Sequence, residues 1–188
     1  SAAFSPDGKL VATGDNAGAV RLWDAATGQE VRRFIGHTAG YVRVSFSRDG
    51  KQIVTAGDDT TARVWDVQTA RELQRFTVPD AGMKAAEFSS DGRLVLTAGD
   101  DGVARLWDVA TGQEVRRFTG HSDQVKAAVF SPDGKYILTA SLDKTARRWQ
   151  IDYHDTIRSL CAELTRDLTP EERSQYGIAD QEPTCSAP

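Results

Sequence analysis

The sequence predicts an all-β fold made of small antiparallel sheets repeated along the chain. Two observations predict it. Trp23, Trp65, Trp107 and Trp149, the four tryptophans among 188 residues, stand 42 residues apart. Phe4, Phe46, Phe88 and Phe130 keep that step, as do Thr13, Thr55, Thr97 and Thr139, and Arg21, Arg63, Arg105 and Arg147. Four residue types in one register exclude compositional bias, and a period of about 40–45 residues closing on Trp-Asp marks a propeller array. Between these landmarks, short apolar runs alternate with turn residues, which reads as four strands per repeat, one propeller blade each.

Each element has its reason. Ser1 to Phe4 reads as the end of an inner strand; Val42 to Phe46 and Val125 to Phe130 show it in full. Ser5-Pro6-Asp7-Gly8 is a tight turn in which Pro presets φ and Gly takes the positive-φ position. It returns as Ser47 to Gly50, Ser89 to Gly92 and Ser131 to Gly134. The runs after it, Leu10 to Thr13, Ile53 to Ala56, Leu94 to Ala98 and Tyr136 to Ala140, are nearly continuous in apolar residues. That suits strands buried on both faces. A third strand ends in Trp, a Gly-containing hairpin follows (Ala25 to Gly28), and a fourth strand runs from Glu30 to Ile35 or Glu114 to Thr119. The expected blades are 1–35, 37–77, 79–119 and 121–151. Residues 24–37 match 108–121 at 12 of 14 positions, which reads as amplification of a two-repeat unit.

Residues 152–188 differ in kind. Ile157, Leu160, Cys161, Leu164 and Leu168 fall on one face of a helix expected over 153–166. Thr169-Pro170-Glu171-Glu172 then carries the N-cap, N1 Pro and N3 Glu of a second, short helix. This segment holds eight acidic and three basic side chains, so the net charge of −4 belongs to it rather than to the repeats.

The bulk numbers exclude some functions. A net acidic chain offers no electrostatic footprint for nucleic acid or an anionic membrane, and no apolar run has the length of a membrane span. Two cysteines, Cys161 and Cys185, are too few for a disulfide framework and fit no zinc spacing, so a reducing, cytoplasmic setting is expected; Cys161 is read as packed on the helix, with a Cys161–Cys185 disulfide left open.

The Gly-His, Phe-Ser-Pro-Asp-Gly, Thr-Ala-Gly-Asp-Asp and Trp-Asp pieces of residues 1–151 resemble the WD-repeat β-propellers. The resemblance implies a hydrogen-bonded tetrad in each full blade, running from Trp through Thr and His to Asp. Here that is Trp65, Thr55, His37 and Asp59, and again Trp149, Thr139, His121 and Asp143. A buried indole N–H needs an acceptor and a buried imidazole needs two partners. Two repeats depart from the pattern. Pro79 replaces His beside Thr97, Asp101 and Trp107, and Ala17 replaces Asp beside Thr13 and Trp23. Those blades are expected to be less firmly tied.

Asp, His and Thr in one repeat could also suggest a nucleophilic triad, but hydroxyls in buried strands that recur blade after blade brace rather than catalyse. The pairs Asp58-Asp59 and Asp100-Asp101 could suggest a cation site, yet one Asp of each pair is taken by the tetrad. No metal, cofactor or catalytic residue is expected. The neighbouring Asp58, Asp100 and Leu142, with Asn16 at the equivalent place, are candidates for a partner-binding rim. Lys84 and Lys126, with Val42 equivalent, should reach the same rim. Solvated loop charge is the alternative reading.

The resemblance also suggests the C-terminal part of a bacterial-type WD-repeat signalling protein. The expected role is a non-catalytic protein–protein interaction scaffold or sensor. The alternative is an autoregulatory lid on an upstream nucleotide-binding or kinase domain. Incomplete ring edges are expected to promote self-association.

Overall fold

The computed structural model describes residues 1–38, 40–151 and Thr169. The helices expected over 153–166 and after Thr169 lie outside the described residues.

Fifteen strands form four antiparallel meanders. Sheet one holds β1 (Ala2–Phe4), β2 (Leu10–Gly14), β3 (Val20–Asp24) and β4 (Glu30–Phe34). Sheet two holds β5 (Val42–Phe46), β6 (Gln52–Gly57), β7 (Thr61–Asp66) and β8 (Glu72–Thr77). Sheet three holds β9 (Met83–Phe88), β10 (Leu94–Gly99), β11 (Ala104–Asp108) and β12 (Glu114–Phe118). Sheet four holds β13 (Val125–Phe130), β14 (Tyr136–Ser141) and β15 (Ala146–Gln150).

Local chemistry sets these elements. In the first turn of sheet two, Ser47 Oγ donates to Asp49 Oδ1 at 2.7 Å and accepts the Gln52 N–H at 3.0 Å. The Asp that closes each Trp-Asp pair caps the next hairpin. Asp66 Oδ1 accepts both the N–H and the hydroxyl of Thr69 at 2.7 Å, and Asp24 and Asp108 repeat this with Thr27 and Thr111.

Each interface between neighbouring sheets has its own core. Ala12, Leu22 and Phe34 of sheet one bury against Val44, Ile53 and Trp65 of sheet two. Val54, Val64 and Phe76 then meet Phe88, Val95 and Trp107, and Leu96, Leu106 and Phe118 meet Val125, Ala128 and Ile137. The outer-strand Phe of one sheet packs on the Trp of the next. Ring centroids are 5.8 Å apart for Phe34–Trp65, 5.3 Å for Phe76–Trp107 and 5.9 Å for Phe118–Trp149. Such aromatic pairs add about 0.5–1.5 kcal/mol beyond area burial.

The pleat explains this division. In sheets one to three one cross-strand row faces the following sheet, Ala3–Ala12–Leu22–Arg32, Ser45–Val54–Val64–Gln74 and Glu87–Leu96–Leu106–Arg116, and the equivalent row of sheet four is Val129–Leu138–Arg148. Two of the outermost members, Gln74 and Arg116, act as clasps. Gln74 Nε2 donates to the Val109 carbonyl at 3.4 Å, and Arg116 Nη1 to the carbonyls of Gln150 and Ile151 at 2.9 and 2.5 Å. These bonds hold the ends of the third strands of sheets three and four from the sheet before each.

Candidate functional site

Sheet two builds the fullest network. Trp65 Nε1 donates to Thr55 Oγ1 at 2.8 Å. His37 Nε2 lies 2.7 Å from the same hydroxyl, and His37 Nδ1 lies 2.9 Å from Asp59 Oδ1. A carboxylate only accepts, so Nδ1 carries the imidazole proton and Nε2 accepts the Thr55 O–H. Asp59 also accepts the Thr61 hydroxyl at 2.7 Å and the Thr38 N–H at 3.0 Å. Arg63 adds a 3.4 Å contact to Asp59 Oδ2, a 2.9 Å bond to Glu72, and a position 6.0 Å over the Trp65 ring.

Two glycines make room for this. A Cβ on Gly36 would fall 2.3 Å from Arg63 Nη1 and 2.7 Å from Trp65 Cη2. One on Gly57 would fall 2.5 Å from His37 Nδ1. The Gly of Gly-His is therefore a steric requirement of the indole and guanidinium beside it.

The electrostatics agree with a neutral imidazole. Burial pushes the His37 pKa below its ordinary value, and the hydrogen bond and charge of Asp59 oppose this without overcoming it. Burial pushes Asp59 up, but hydrogen bonds from Thr61, His37 and the Thr38 backbone outweigh it and hold the carboxyl below the usual range.

Sheet four repeats the network. Trp149 Nε1 donates to Thr139 at 2.8 Å, His121 lies 2.7 Å from both Thr139 and Asp143, and Thr145 donates to Asp143 at 2.6 Å. The Thr145 bond, ahead of that from His121, holds the Asp143 carboxyl far below the ordinary carboxylate range. Arg147 lies 5.9 Å from the Trp149 ring.

Sheets one and three keep only part of it. Trp23 and Trp107 donate to Thr13 and Thr97, each at 2.8 Å. With Pro79 in the His position, Asp101 is taken by Arg105 at 2.5 Å and is 25% exposed, against 4% for Asp59. With Ala17 in the Asp position, Arg21 Nε makes no hydrogen bond and sits 3.9 Å from Glu30.

Thr61 and Thr145 were not singled out by the sequence analysis. Their signal was present, since Thr occurs there only in the repeats that hold His37 and His121, with Ala19 and Val103 in the others.

The rim residues divide. Lys84 bridges Asp58 and Asp100, bonding the first and lying 3.0 Å from the second, across the boundary between sheets two and three. Asp58 also accepts the Tyr41 N–H at 3.0 Å. Burial lowers the Lys84 pKa, but bonds to Asp58 and Asp100 outweigh it and raise the value above the ordinary one. Lys126 bonds Gln124, the residue just before its own strand, and Leu142 is 52% exposed. Val42 does not join them. It is fully buried on the face of β5 that packs against sheet one, where a Cβ on Gly14 would fall 2.3 Å from the Val42 carbonyl.

Among the described residues, no group of three or more His, Cys, Asp or Glu is placed to hold a metal ion, and no helix is long and apolar enough to cross a membrane.

Comparison with known proteins gives one consistent result. The family model described as "WD domain, G-beta repeat" matches residues 1–24, 28–66, 71–108 and 112–150. An uncharacterized WD repeat-containing protein of Nostoc sp. is 62% identical over 37 residues, which is 20% of this chain and 2% of that protein.

Proposed function

We propose, from the premise that this chain belongs to the WD-repeat family, that it serves as a non-catalytic protein-interaction module. WD repeats generally mediate protein–protein interaction and are typically non-catalytic. On our reading the chain is the scaffold or sensor part of a larger cytoplasmic signalling protein. Its contact surface is the rim carrying Asp58, Lys84, Asp100, Lys126 and Leu142.

The observation that carries this reading is the Asp58–Lys84–Asp100 bridge. Acidic and basic groups alternate along one rim, and Lys84 is held rigid between two carboxylates. A pre-ordered charge loses little rotamer freedom when a partner arrives. Alternating charge also fixes a partner's register and rejects the opposite pattern more than it adds raw affinity. The tetrads beneath supply stiffness and no chemistry: Thr55 and Thr139 are fully buried, so no substrate reaches their hydroxyls.

The test is site-specific photo-crosslinking in the producing cells. A photoreactive residue at Leu142 on the rim should yield discrete protein adducts that Lys84→Glu abolishes. The same residue at Val115, on the outer edge and 54% exposed, should not yield them. Identical adducts from both positions, or adducts indifferent to Lys84→Glu, would remove the rim from the reading.

A further inference from the structure

Sheet four presents a face unlike those of its neighbours. In the rows that look toward the following sheet, the third-strand residue is Leu22, Val64 or Leu106, each at most 1% exposed. In sheet four that residue is Arg148, paired across the strands with Leu138 and stacked 4.6 Å over Tyr136. Val129 and Leu138 beside it are 44% and 49% exposed, whereas Val54 and Leu96, at the place of Leu138, are fully buried. These residues line one shallow groove together with Pro132. Among the described residues no carboxylate pairs with Arg148. The face is apolar with Arg148 as its one cation, and the carboxylate that also lines it, Asp133, is already bonded by Ser131 and the Lys135 N–H, so a plain apolar sheet suits it poorly. It suits an amphipathic segment carrying acids.

Such a segment follows at once. The last repeat match ends at 150, yet the chain continues to 188 without a fifth repeat. Arg116 grips the carbonyls of Gln150 and Ile151, which fixes the point where the chain leaves sheet four. From Asp152 onward the sequence holds eight acidic and three basic side chains. Its apolar residues Ile157, Leu160, Cys161, Leu164 and Leu168 fall at the spacing of one helix face. We infer that residues 152–168 dock on this face of sheet four. Their apolar side covers Val129 and Leu138, and a carboxylate of the segment pairs with Arg148. The inference is independent of the rim.

Cys161 reports on it. In the full chain with Cys185→Ser, the Cys161 thiol should react with an aromatic disulfide reagent about tenfold more slowly than in a free 152–188 peptide, because docking must open first. Arg148→Glu, at an exposed position, and Leu138→Lys should each return the rate to that of the peptide. Arg148→Lys should keep it slow. Circular dichroism of each variant confirms an intact sheet fold, and Arg148→Glu suffices if Leu138→Lys unfolds. A rate equal to the peptide's in the parent chain overturns the inference. So does slow labelling that neither variant changes, which would place the segment elsewhere. Protection that grows with protein concentration also overturns it, since a second copy would then be the occupant.

Discussion

His37 Nδ1 lies 2.9 Å from Asp59 Oδ1, with the two side chains 0% and 4% exposed. Neither group can turn to water if the other is removed. His37→Ala leaves Asp59 Oδ1 and the Thr55 hydroxyl each short of a buried partner. We expect it to destabilise the chain by about 3 kcal/mol, since it removes a buried hydrogen bond to a carboxylate and one to the Thr55 hydroxyl and leaves a cavity where the ring packed. Asp101→Ala in sheet three should cost only about 1 kcal/mol, because that carboxylate is part exposed and pairs with one arginine. Urea unfolding of both variants checks the ratio; equal losses would deny the His network its special weight.

The same pair sets a pH dependence. His37 has its pKa lowered in the folded state, so the unfolded chain binds the extra proton more readily. Its contribution is present above the ordinary value of 6.5 and is lost as the pH falls below it toward the folded value. Asp59, also lowered, acts only further down, below the usual carboxylate range. The stability gap between the parent and His37→Ala should therefore narrow between pH 7.5 and 5. A gap that stays constant across that range would show that the imidazole does not titrate with unfolding.

How much of this was legible follows from where each partner sits. Trp65 and Thr55 lie on adjacent strands of one sheet, ten residues apart, and a 42-residue register exposes any pair repeated at that separation. The repeat could not show that the inner strands of sheets three and four carry a bulge that β5 lacks. Val42 holds the place of Lys84 in the 42-residue register, but β9 bulges at Lys84, between the Ala85–Ala98 and Met83–Gly99 pairs, so the ladder counterpart of Val42 is the buried Met83. The clasps from Gln74 and Arg116 were illegible for a related reason. They join backbone carbonyls of the next repeat, and a carbonyl leaves no mark in the sequence. The departure at Arg148 was readable as a residue change, but its meaning needed the row in which it lies.

Glu87 is a carboxylate in the row of sheet three that faces sheet four, where the other sheets have Ala3, Ser45 and Val129. Burial raises its pKa, against a smaller opposing effect of a hydrogen bond from the Phe130 backbone. A raised acid is stabilising in its protonated form, so that stability is complete below the ordinary carboxylate range and is lost as the pH rises through the folded value. Glu87→Gln keeps the shape without the charge. Its urea midpoint should exceed the parent's at pH 7 and converge with it near pH 4. A variant less stable than the parent at pH 7 would mean that the ionised carboxylate has a stabilising partner.

Thr60 occupies the loop position that sheets one and three fill with Gly18 and Gly102. Its φ is 67°, beside 84° and 75° for the two glycines. A β-branched side chain is a true outlier there, because the left-handed region crowds Cβ against the following carbonyl at a cost of about 1–2 kcal/mol. Glycine removes that crowding, and its greater freedom in the unfolded chain returns about 0.4–1 kcal/mol of the gain. The Thr60 carbonyl, which accepts the Val78 N–H at 3.1 Å, is untouched by the change. Thr60→Gly should therefore stabilise the chain by about 0.5–1 kcal/mol, read as a higher urea midpoint at an unchanged slope. Lys144, with φ also 67° at the same place in sheet four, should respond in the same direction but less, since it is not β-branched. Loss of stability on Thr60→Gly would show that the threonine side chain contributes more than its backbone costs.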